Sequence, residues 1–396
     1  MYLYSERIYT PQGYKEGYLK IEDGKIKGIF EEFEGEFVDY KDNIIVPGFI
    51  DLHIHGWATG SFVHEGTEKS LENMSKELVK EGVTSYLPTT GTDSLEKINS
   101  QLVEGKKAIE NYSPEKGADI LGFHLEGPFI NKEFKGMQKE EYCLTPSIEI
   151  LEQFFQSAGK ENIKLITMAP ELEGSLEFIQ YVNKEGIQIS IGHSAAEFED
   201  IKALKDYGLG GFTHTFSGMR GFHHRRLGVA GAAMYFDDMY AEFAKQTGMT
   251  VKPEAFKIMY KLKGPERIFL TSDAVGLAHV KKPFHHYIRQ CTFSPDGDYL
   301  KLTYDDGRED RIYKYDYENV KDLELGYLGS VQNVVKNIDA SIGDIVKMAS
   351  ENPAKYIGVY DKKGSIEAGK DADLLIIDGL WNLKDVYVKG VKQFLH

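Results

Sequence analysis

The central part of the chain alternates strand-like runs with amphipathic runs of helical period. Strand-like runs occur at residues 50–55, 83–90, 122–126, 163–168, 187–193, 212–216, 240–245 and 268–273. Amphipathic runs follow at residues 70–81, 95–110 and 175–184, where apolar positions recur at the spacing of one helix face. About eight strand-plus-helix units are the number that closes a parallel barrel. The pattern therefore predicts an α/β fold whose main part is a (β/α)8 barrel.

Both ends of the chain carry short alternating runs instead. Residues 1–46 are typical of short strands, with an Asp-Gly hairpin signal at residues 23–24, and three similar runs lie between residues 364 and 391. Neither end is large enough to bury a good core alone, so we expect the two ends to pair into one small β-sandwich. The predicted domains are residues 1–46 plus 355–396 for the sandwich and residues 47–354 for the barrel.

A segment after the last predicted barrel strand departs from the alternation of strands and helices seen in the rest of the central part. Between Tyr287 and Tyr315, Asp-Gly pairs at residues 296–297 and 306–307 predict hairpin turns. We expect an excursion of short strands here, followed by helices at residues 331–338 and 342–350 that complete the barrel domain.

Composition and charge narrow the functional classes. The chain has 396 residues, of which 41% are hydrophobic, and a formal net charge of −15. So acidic a chain disfavours nucleic acid or an anionic membrane as partner, and no run approaches the ~18 uninterrupted apolar residues of a membrane span. Cys143 and Cys291 have no metal or redox spacing, which fits a reducing compartment. With no apolar signal core in its first residues, we expect a cytoplasmic protein.

The stretch Pro-Gly-Phe-Ile-Asp-Leu-His-Ile-His-Gly at residues 47–56 ends an apolar run with two histidines. Side chains two residues apart on a strand point to the same face, so His53 and His55 would direct their imidazoles to a common point. In isolation such a pair shares a face by accident. At the end of a buried strand, however, uncompensated imidazoles would cost free energy, which favours a metal site that has further ligands.

Further candidates lie at the carboxyl ends of other predicted strands: Glu126 on the third, His193 on the fifth, His214 on the sixth and Asp273 on the eighth. In a parallel barrel these ends open onto one face, where active sites form. Each residue alone could be a loop carboxylate, a core histidine or a helix cap. Together they predict a divalent metal site, and imidazoles with a carboxylate suit zinc or iron equally.

A bound divalent ion would favour hydrolysis, because it activates water near neutral pH. Asp273 is the candidate for the carboxylate that takes the proton from that water and returns it to the leaving group. A serine nucleophile is disfavoured, since the sequence Gly-His-Ser-Ala-Ala at residues 192–196 lacks the second glycine of the G-x-S-x-G elbow.

A basic patch at residues 219–226, Met-Arg-Gly-Phe-His-His-Arg-Arg, follows the sixth strand. Arginine suits phosphate or carboxylate recognition, so a cleft-facing loop would indicate an anionic substrate, most simply a phosphate ester. The alternative is a solvated loop or one that faces another subunit.

These motifs resemble the amidohydrolase superfamily and, within it, the N-acetylglucosamine-6-phosphate deacetylases. The resemblance covers essentially the whole chain, and its most specific part is the Leu-Glu-Gly-Pro-Phe motif at residues 125–129. It implies a TIM-like (β/α)8 barrel with a β-sandwich, a homodimer, and hydrolysis of a linear amide to acetate and an amino-sugar phosphate. The matching segments are residues 47–56, 124–130, 192–194, 213–214, 222–225, 271–273, 351–355 and 364–374.

Roles carry over from this resemblance by position. Glu126, His193 and His214 would bind the catalytic metal, and His53 with His55 would allow a second ion. Asp273 would be the acid/base, and Arg225 would hold the substrate phosphate across the dimer interface. The remaining substrate-binding candidates are Met137, Gln138, Ser217, Gly218, Thr250, Tyr327, Leu328 and Gly329.

Two departures from the family pattern affect the substrate site. Ser217-Gly218 stands where the family usually has Asn-Ala, and Thr247-Gly248-Met249-Thr250 stands where it has Asp-Gly-x-His. Thr250 cannot supply the charge of that histidine. Three functions therefore stay open: the family deacetylase, a deacylase for another N-acyl amino sugar phosphate or amide, and a non-catalytic sugar-phosphate-binding paralogue.

Overall fold

The computed structural model describes residues 1–248, 250–286 and 289–395. Its centre is a parallel sheet of barrel strands, each hydrogen-bonded to the next in chain order. The amide of Asp273, just after the last strand, donates to the carbonyl of His53 in the first at 2.9 Å, so the sheet closes. The predicted barrel is confirmed. Its strands are β1 (Phe49–Ile54), β2 (Val83–Thr90), β3 (Phe123–Glu126), β4 (Ile163–Met168), β5 (Gln188–Ile191), β6 (Leu209–Phe212), β7 (Tyr240–Ala244) and β8 (Ile268–Thr271).

The helices of the barrel domain begin and end close to the predicted bounds. Leu95–Glu110 and Ser175–Lys184 are confirmed, and Ser94 begins the first by accepting a hydrogen bond from the amide of Lys97 at 3.3 Å. The run predicted at 70–81 is helix Glu68–Leu78 continued by a 3-10 turn, Val79–Glu81. The helix predicted at 331–338 begins earlier, as Tyr327–Asn337, and the one predicted at 342–350 is Ile342–Val346 continued by a π-helical turn, Lys347–Glu351. The other α-helices are Ile148–Ala158, Phe198–Leu204, Gly228–Tyr235, Pro253–Lys263, Tyr317–Val320 and Asn352–Tyr356. None of the helices within the described residues is long and apolar enough to cross a membrane.

The two chain ends combine into one sheet, here called the terminal sheet. They join where Ile44–Pro47 pairs antiparallel with Leu374–Ile377. Leu19 and Ile45 from one end and Ile376 from the other are fully buried in a core of this sheet's own. The predicted pairing of the ends is confirmed, while the domain boundaries stay predictions. The strands are Tyr2–Thr10, Gly13–Glu22, Lys25–Phe30, Val38–Asp39, Ile44–Pro47, Leu374–Ile377, Leu383–Val388 and Val391–Lys392.

The excursion after β8 is an antiparallel sheet of four strands. Both predicted Asp-Gly turns are present, with Gly297 at φ 61° and Gly307 at φ 88°, a backbone conformation that glycine adopts without steric cost. Tyr287, where the prediction began, lies outside the described residues. The strands are Phe284–His286, Cys291–Asp296, Tyr299–Tyr304 and Glu309–Tyr313.

A buried charge cluster attaches the terminal sheet to the barrel. The Lys363 side chain is 5% exposed, and its Nζ lies 3.1 Å from Asp119, 3.0 Å from Asp371 and 2.6 Å from Asp373. Replacing Lys363 by Met should lower the free energy of unfolding by ~3–5 kcal/mol, because buried carboxylates then lose their shared cation. Urea unfolding at pH 7 measures the difference from the wild type.

Lys347→Met is the matched control for this change. Lys347 Nζ lies 2.6 Å from Glu266, with side chains 34% and 59% exposed, and such exposed pairs contribute less than ~1 kcal/mol. Equal losses in the two variants would contradict a stabilising role of the buried cluster.

Candidate metal centre and active site

The carboxyl ends of the barrel strands bring the six chemically predicted residues together. His53 lies in β1 with His55 directly after it, Glu126 ends β3, and His193, His214 and Asp273 each follow a strand by two residues. Five of them are at most 6% exposed, and we call these five the metal cluster: His53, His55, Glu126, His193 and His214.

The metal cluster consists of two groups that share Glu126. One group adds His53 and His55, the other His193 and His214, and in each the ligand atoms lie within 4.8 Å of one another. Glu126 Oε1 is 3.0 Å from His193 Nε2 and 3.1 Å from His214 Nε2, while Oε2 is 3.3 Å from His55 Nε2. A carboxylate between two sets of imidazoles can serve one ion or bridge two.

The orientation of the imidazoles fits a metal ion. Each Nδ1 of the four histidines faces an acceptor, so the tautomer with its hydrogen on Nδ1 satisfies that acceptor and leaves the lone pair of Nε2 for a metal ion at the centre. The Nε2 atoms of His53 and His55 lie 3.2 Å apart, and those of His193 and His214 lie 3.1 Å apart. Lone pairs this close repel unless a cation lies between them. The Nδ1 partners are Glu242 Oε1 (2.7 Å) for His53, Thr89 O (3.0 Å) for His55, Phe134 O (2.8 Å) for His193 and Ser217 O (3.1 Å) for His214.

The pKa shifts in the metal cluster indicate strong local charge. Burial alone would lower the pKa of His53, but the carboxylates of Glu242 and Glu126 raise it well above its ordinary value. Burial would raise the pKa of Glu126, yet His53 and His193 hold it well below its ordinary value. The buried carboxylates therefore favour positive charge at the centre, which is the condition for cation binding.

Unusual backbone geometry recurs at the strand ends that carry the site. His193, His214 and Asp273 have φ values of 49°, 30° and 45°, which non-glycine residues adopt only where the surroundings hold them. Gly218 lies against two of these residues, with φ 55°. A Cβ at this position would lie 3.1 Å from His193 Nδ1 and 3.3 Å from His214 Cε1, so glycine relieves both close contacts and backbone strain here.

Asp273 lies beside the first ligand group. Its Oδ1 is 3.6 Å from the Nε2 atoms of both His53 and His55, and its side chain is 22% exposed. The preceding backbone is held by buried Asp51, which accepts hydrogen bonds from Thr271 Oγ1 at 2.5 Å and from the amide of Ser272 at 3.2 Å. Asp273 is therefore close to the metal cluster and still accessible to a substrate.

Glu242 is a functional candidate that the sequence reasoning missed. It is fully buried in β7, and its Oε1 accepts from His53 Nδ1 at 2.7 Å and from the amide of His214 at 3.2 Å. It thereby orients one histidine of each ligand group, as carboxylates behind metal-bound histidines do. The sequence does carry one indication of this role: Glu242 is a lone carboxylate within an otherwise apolar strand. Burying a carboxylate costs free energy unless it is paired.

The predicted substrate contacts next to the metal cluster have defined partners. Gln138 Nε2 donates to Glu126 Oε2, and Gln138 Oε1 accepts from the amide of Thr92 at 2.8 Å. Ser217 Oγ donates to the carbonyl of Thr250 at 2.8 Å. Met137 is 77% exposed next to Gln138. Their role in substrate binding stays a prediction.

The basic loop after β6 forms a tight turn in which His223 and Arg226 exchange backbone hydrogen bonds at 3.0 and 2.9 Å. Arg220 Nε donates to the carbonyl of Ala195 at 2.6 Å, and Arg226 pairs with Glu197. Arg225, at the tip, is exposed. Within one chain the loop thus presents Arg225 outward, and a phosphate contact stays a prediction.

Tyr327, Leu328 and Gly329 are not brought to the metal cluster by their contacts. The Tyr327 side chain is 1% exposed, and its hydroxyl donates to the carbonyl of Leu270 at 3.1 Å. The amide of Leu328 donates to Glu81 at 3.1 Å. These contacts hold the start of helix Tyr327–Asn337 against the barrel, so they give no support to the predicted substrate contact of these three residues.

Glu81 carries a testable pH dependence. Burial raises its pKa to about 7, whereas the unfolded chain releases this proton near pH 4.5. Between these two pKa values the folded chain binds more protons than the unfolded chain, so the free energy of unfolding falls as the pH rises. Since one pKa unit corresponds to ~1.4 kcal/mol, Glu81→Gln should therefore stabilise the protein by about 3 kcal/mol at pH 8 and by much less at pH 5. Urea unfolding of both proteins at the two pH values checks this, and an equal gain at both would contradict it.

Comparisons with known proteins agree with this geometry. The model of the Amidohydrolase family matches residues 44–266 and 314–393. The chain is 32% identical to the N-acetylglucosamine-6-phosphate deacetylase of Bacillus subtilis (strain 168) over 92% of this chain and 89% of that protein. It is 28% identical to the N-acetylgalactosamine-6-phosphate deacetylase of Escherichia coli O157:H7, with 98% of each chain covered.

A solved structure has the same fold. The N-acetylglucosamine-6-phosphate deacetylase of Thermotoga maritima superimposes with a TM-score of 0.79 at 30% identity, covering 100% of this chain and 99% of that one. The internal segment that the family model leaves unmatched, residues 267–313, contains the antiparallel sheet after β8. The barrel, the histidine and glutamate ligand groups at its strand ends and the family match lead to one conclusion: this chain belongs to the amidohydrolase family.

Proposed function

We propose that this chain is a metal-dependent amidohydrolase that removes the N-acetyl group of N-acetylglucosamine 6-phosphate, giving glucosamine 6-phosphate and acetate. The observation that carries the proposal is the pair of ligand groups sharing Glu126, with Asp273 Oδ1 at 3.6 Å from two of the histidines. The deacetylases of Bacillus subtilis and Thermotoga maritima, about a third identical in sequence, support the choice of substrate.

We propose zinc or iron, as one or two ions. Glu126, His193 and His214 would hold the first ion, and His53, His55 and Glu126 the second. A divalent ion bound there lowers the pKa of water and polarises a carbonyl oxygen. Imidazole and carboxylate ligands suit both metals.

The chain's own residues then complete hydrolysis by proton transfer. Asp273 Oδ1 accepts a proton from the attacking water, whose oxygen forms the new bond to the acyl carbon. Protonated Asp273 then donates to the amide nitrogen as the C–N bond breaks, so acetate and a free amine leave. One carboxylate thus acts first as base and then as acid, while Asp51 and the carbonyl of His53 hold its backbone.

Substrate recognition is proposed to involve the basic loop. Arg225 would bind the phosphate of a substrate held by the partner subunit of a homodimer, which agrees with its outward position within one chain. Gln138, Gly218 and Ser217 would line the sugar site.

The proposed location is the cytoplasm, with which the two free cysteines, Cys143 and Cys291, agree.

A second candidate is hydrolysis of N-acetylgalactosamine 6-phosphate or another N-acyl amino sugar phosphate. Ser217 and Thr250, which replace the family's asparagine and histidine, favour it, as does the similarity to the galactosamine enzyme of Escherichia coli O157:H7. A non-catalytic paralogue is disfavoured because Asp273 and the complete metal cluster would serve no purpose in it.

The test is acetate release by metal-reconstituted protein from N-acetylglucosamine 6-phosphate, N-acetylgalactosamine 6-phosphate and unphosphorylated N-acetylglucosamine. We expect turnover of the first and little of the third. Faster turnover of the galactosamine compound would select the second candidate. No release from any of them, with metal bound, would overturn the proposed activity.

A further inference from the structure

A chain of hydrogen bonds runs from the β6 loop across the β7 loop to Asp273. Ser217 Oγ donates to the carbonyl of Thr250 at 2.8 Å, and Thr250 Oγ1 donates to the carbonyl of Lys245. Lys245 Nζ in turn donates to the carbonyl of Asp273 at 3.1 Å. The two residues that depart from the family pattern are therefore connected through Lys245 to the proposed acid/base.

Lys245 also approaches a carboxylate that binds the turn after β8. Its Nζ lies 3.5 Å from Glu324 Oε2, and the two side chains are 14% and 7% exposed. The carboxylate of Glu324 accepts hydrogen bonds from the backbone amides of Val275 at 3.0 Å, Gly276 at 2.8 Å and Leu277 at 3.0 Å. A carboxylate that accepts three backbone amides fixes their relative orientation, and the ammonium group balances its charge where water is largely excluded.

The backbone at both ends of this contact is strained. Asp273 has φ 45° and Lys245 has φ 25°, conformations that persist only when neighbouring groups over-determine them. Asp51 and the carbonyl of His53 hold the strand side of the Asp273 turn. On its other side, the amides of His55 and Gly56 donate to the carbonyl of Ala274 at 2.7 and 3.0 Å. Lys245 and Glu324 add the contacts to the Asp273 carbonyl and to the amides of residues 275–277, so without them the turn would be held by β1 alone.

We infer that Lys245 and Glu324 are positioning residues that keep the Asp273 carboxylate at the metal cluster in this chain. Lys245 thus places a cation on the same β7 loop that in the family carries the histidine replaced by Thr250. The inference rests on the proposed function, because it assigns Asp273 as the acid/base.

The test uses Lys245→Met and Glu324→Gln in the metal-loaded protein. Amide hydrogen exchange of residues 272–277, which needs no substrate, should be ~10-fold faster or more in both variants. With the best substrate, kcat should fall by ~10- to 100-fold, the loss expected for a small misplacement of a catalytic group. KM and bound metal should stay within ~2-fold of the wild type, and the double variant should lose little more than either single one.

Lys80→Met is the matched control. Lys80 Nζ lies 2.8 Å from Glu77, with side chains 14% and 6% exposed, so the pair is equally buried but is not attached to the Asp273 turn. We expect neither exchange at residues 272–277 nor kcat to change in it. Unchanged exchange in the Lys245 and Glu324 variants would overturn the inference even if the wild type hydrolyses none of the tested compounds. Faster exchange with unchanged kcat, or a change in KM alone, would also overturn it.

Discussion

Asp273→Asn is expected to lower kcat by at least ~10³-fold while the bound metal stays unchanged. General acid–base catalysis contributes up to ~10⁴-fold, and here one carboxylate performs both proton transfers. The amide cannot accept the proton of the attacking water or protonate the leaving nitrogen. Its size is nearly that of the carboxylate, so the contacts of the turn with Asp51 and with the carbonyl of His53 remain.

Acetate release under saturating substrate and metal content by mass spectrometry together test this expectation. Asp51→Asn is an informative comparison, because Asp51 binds the same turn but lies away from the reacting atoms. It should retain more activity than Asp273→Asn. Near-normal turnover by Asp273→Asn would contradict its role, and parallel loss of metal and turnover would identify Asp273 as an essential ligand instead.

The sequence predicted those elements whose pattern is periodic and whose ends carry clear signals. Helix Leu95–Glu110 has apolar positions at helical spacing and a serine cap, and strand Val83–Thr90 is a run without charged residues that is buried along its whole length. The sequence pattern does not predict helix Gly228–Tyr235. Its small apolar residues, most of them buried, produce no alternation between a polar and an apolar face, so local sequence does not distinguish it from a buried strand.

The metal cluster could be predicted because barrel topology gathers strand ends that are far apart in sequence. His53 and Glu126 are separated by the whole of β2 and its helix, yet their ligand atoms lie 3.4 Å apart. The groups that orient the histidines could not be predicted in the same way. Backbone carbonyls, such as that of Phe134, belong to every residue and carry no sequence signal, and Glu242 lies within a strand rather than at its end.

The substrate site was the least predictable part for a different reason. Tyr327 stays a predicted substrate contact, while in the structure its hydroxyl donates to a backbone carbonyl of β8. By the family pattern, Thr250 replaces a charged histidine. In this structure its hydroxyl donates to the carbonyl of Lys245, and its carbonyl accepts from Ser217 Oγ. The conformation of a loop residue depends on its hydrogen bonds to residues far away in the sequence, which the local sequence does not reveal.

Glu126→Gln should remove the metal from both ligand groups, with a loss of more than ~100-fold in affinity, since even groups behind a ligand contribute ~10- to 100-fold. Glu126 is the only carboxylate in either of the two groups found among the described residues. Its loss leaves only neutral imidazoles as ligands in both groups, with Glu242 and Asp273 outside them. Turnover should fall with the metal, and added zinc should restore only part of it.

His55→Asn separates this expectation from a general failure of the site. His55 belongs to one ligand group only, so the other group, Glu126 with His193 and His214, should keep its ion. Metal content after dialysis should therefore be close to zero for Glu126→Gln but should not fall below one ion per chain for His55→Asn. If Glu126→Gln retained as much metal as His55→Asn, Glu126 would not be shared, and the two groups would have to bind their ions independently. If both variants lost all metal, the ions would bind as one cooperative unit, because His55 contacts the second group only through Glu126 at 3.3 Å.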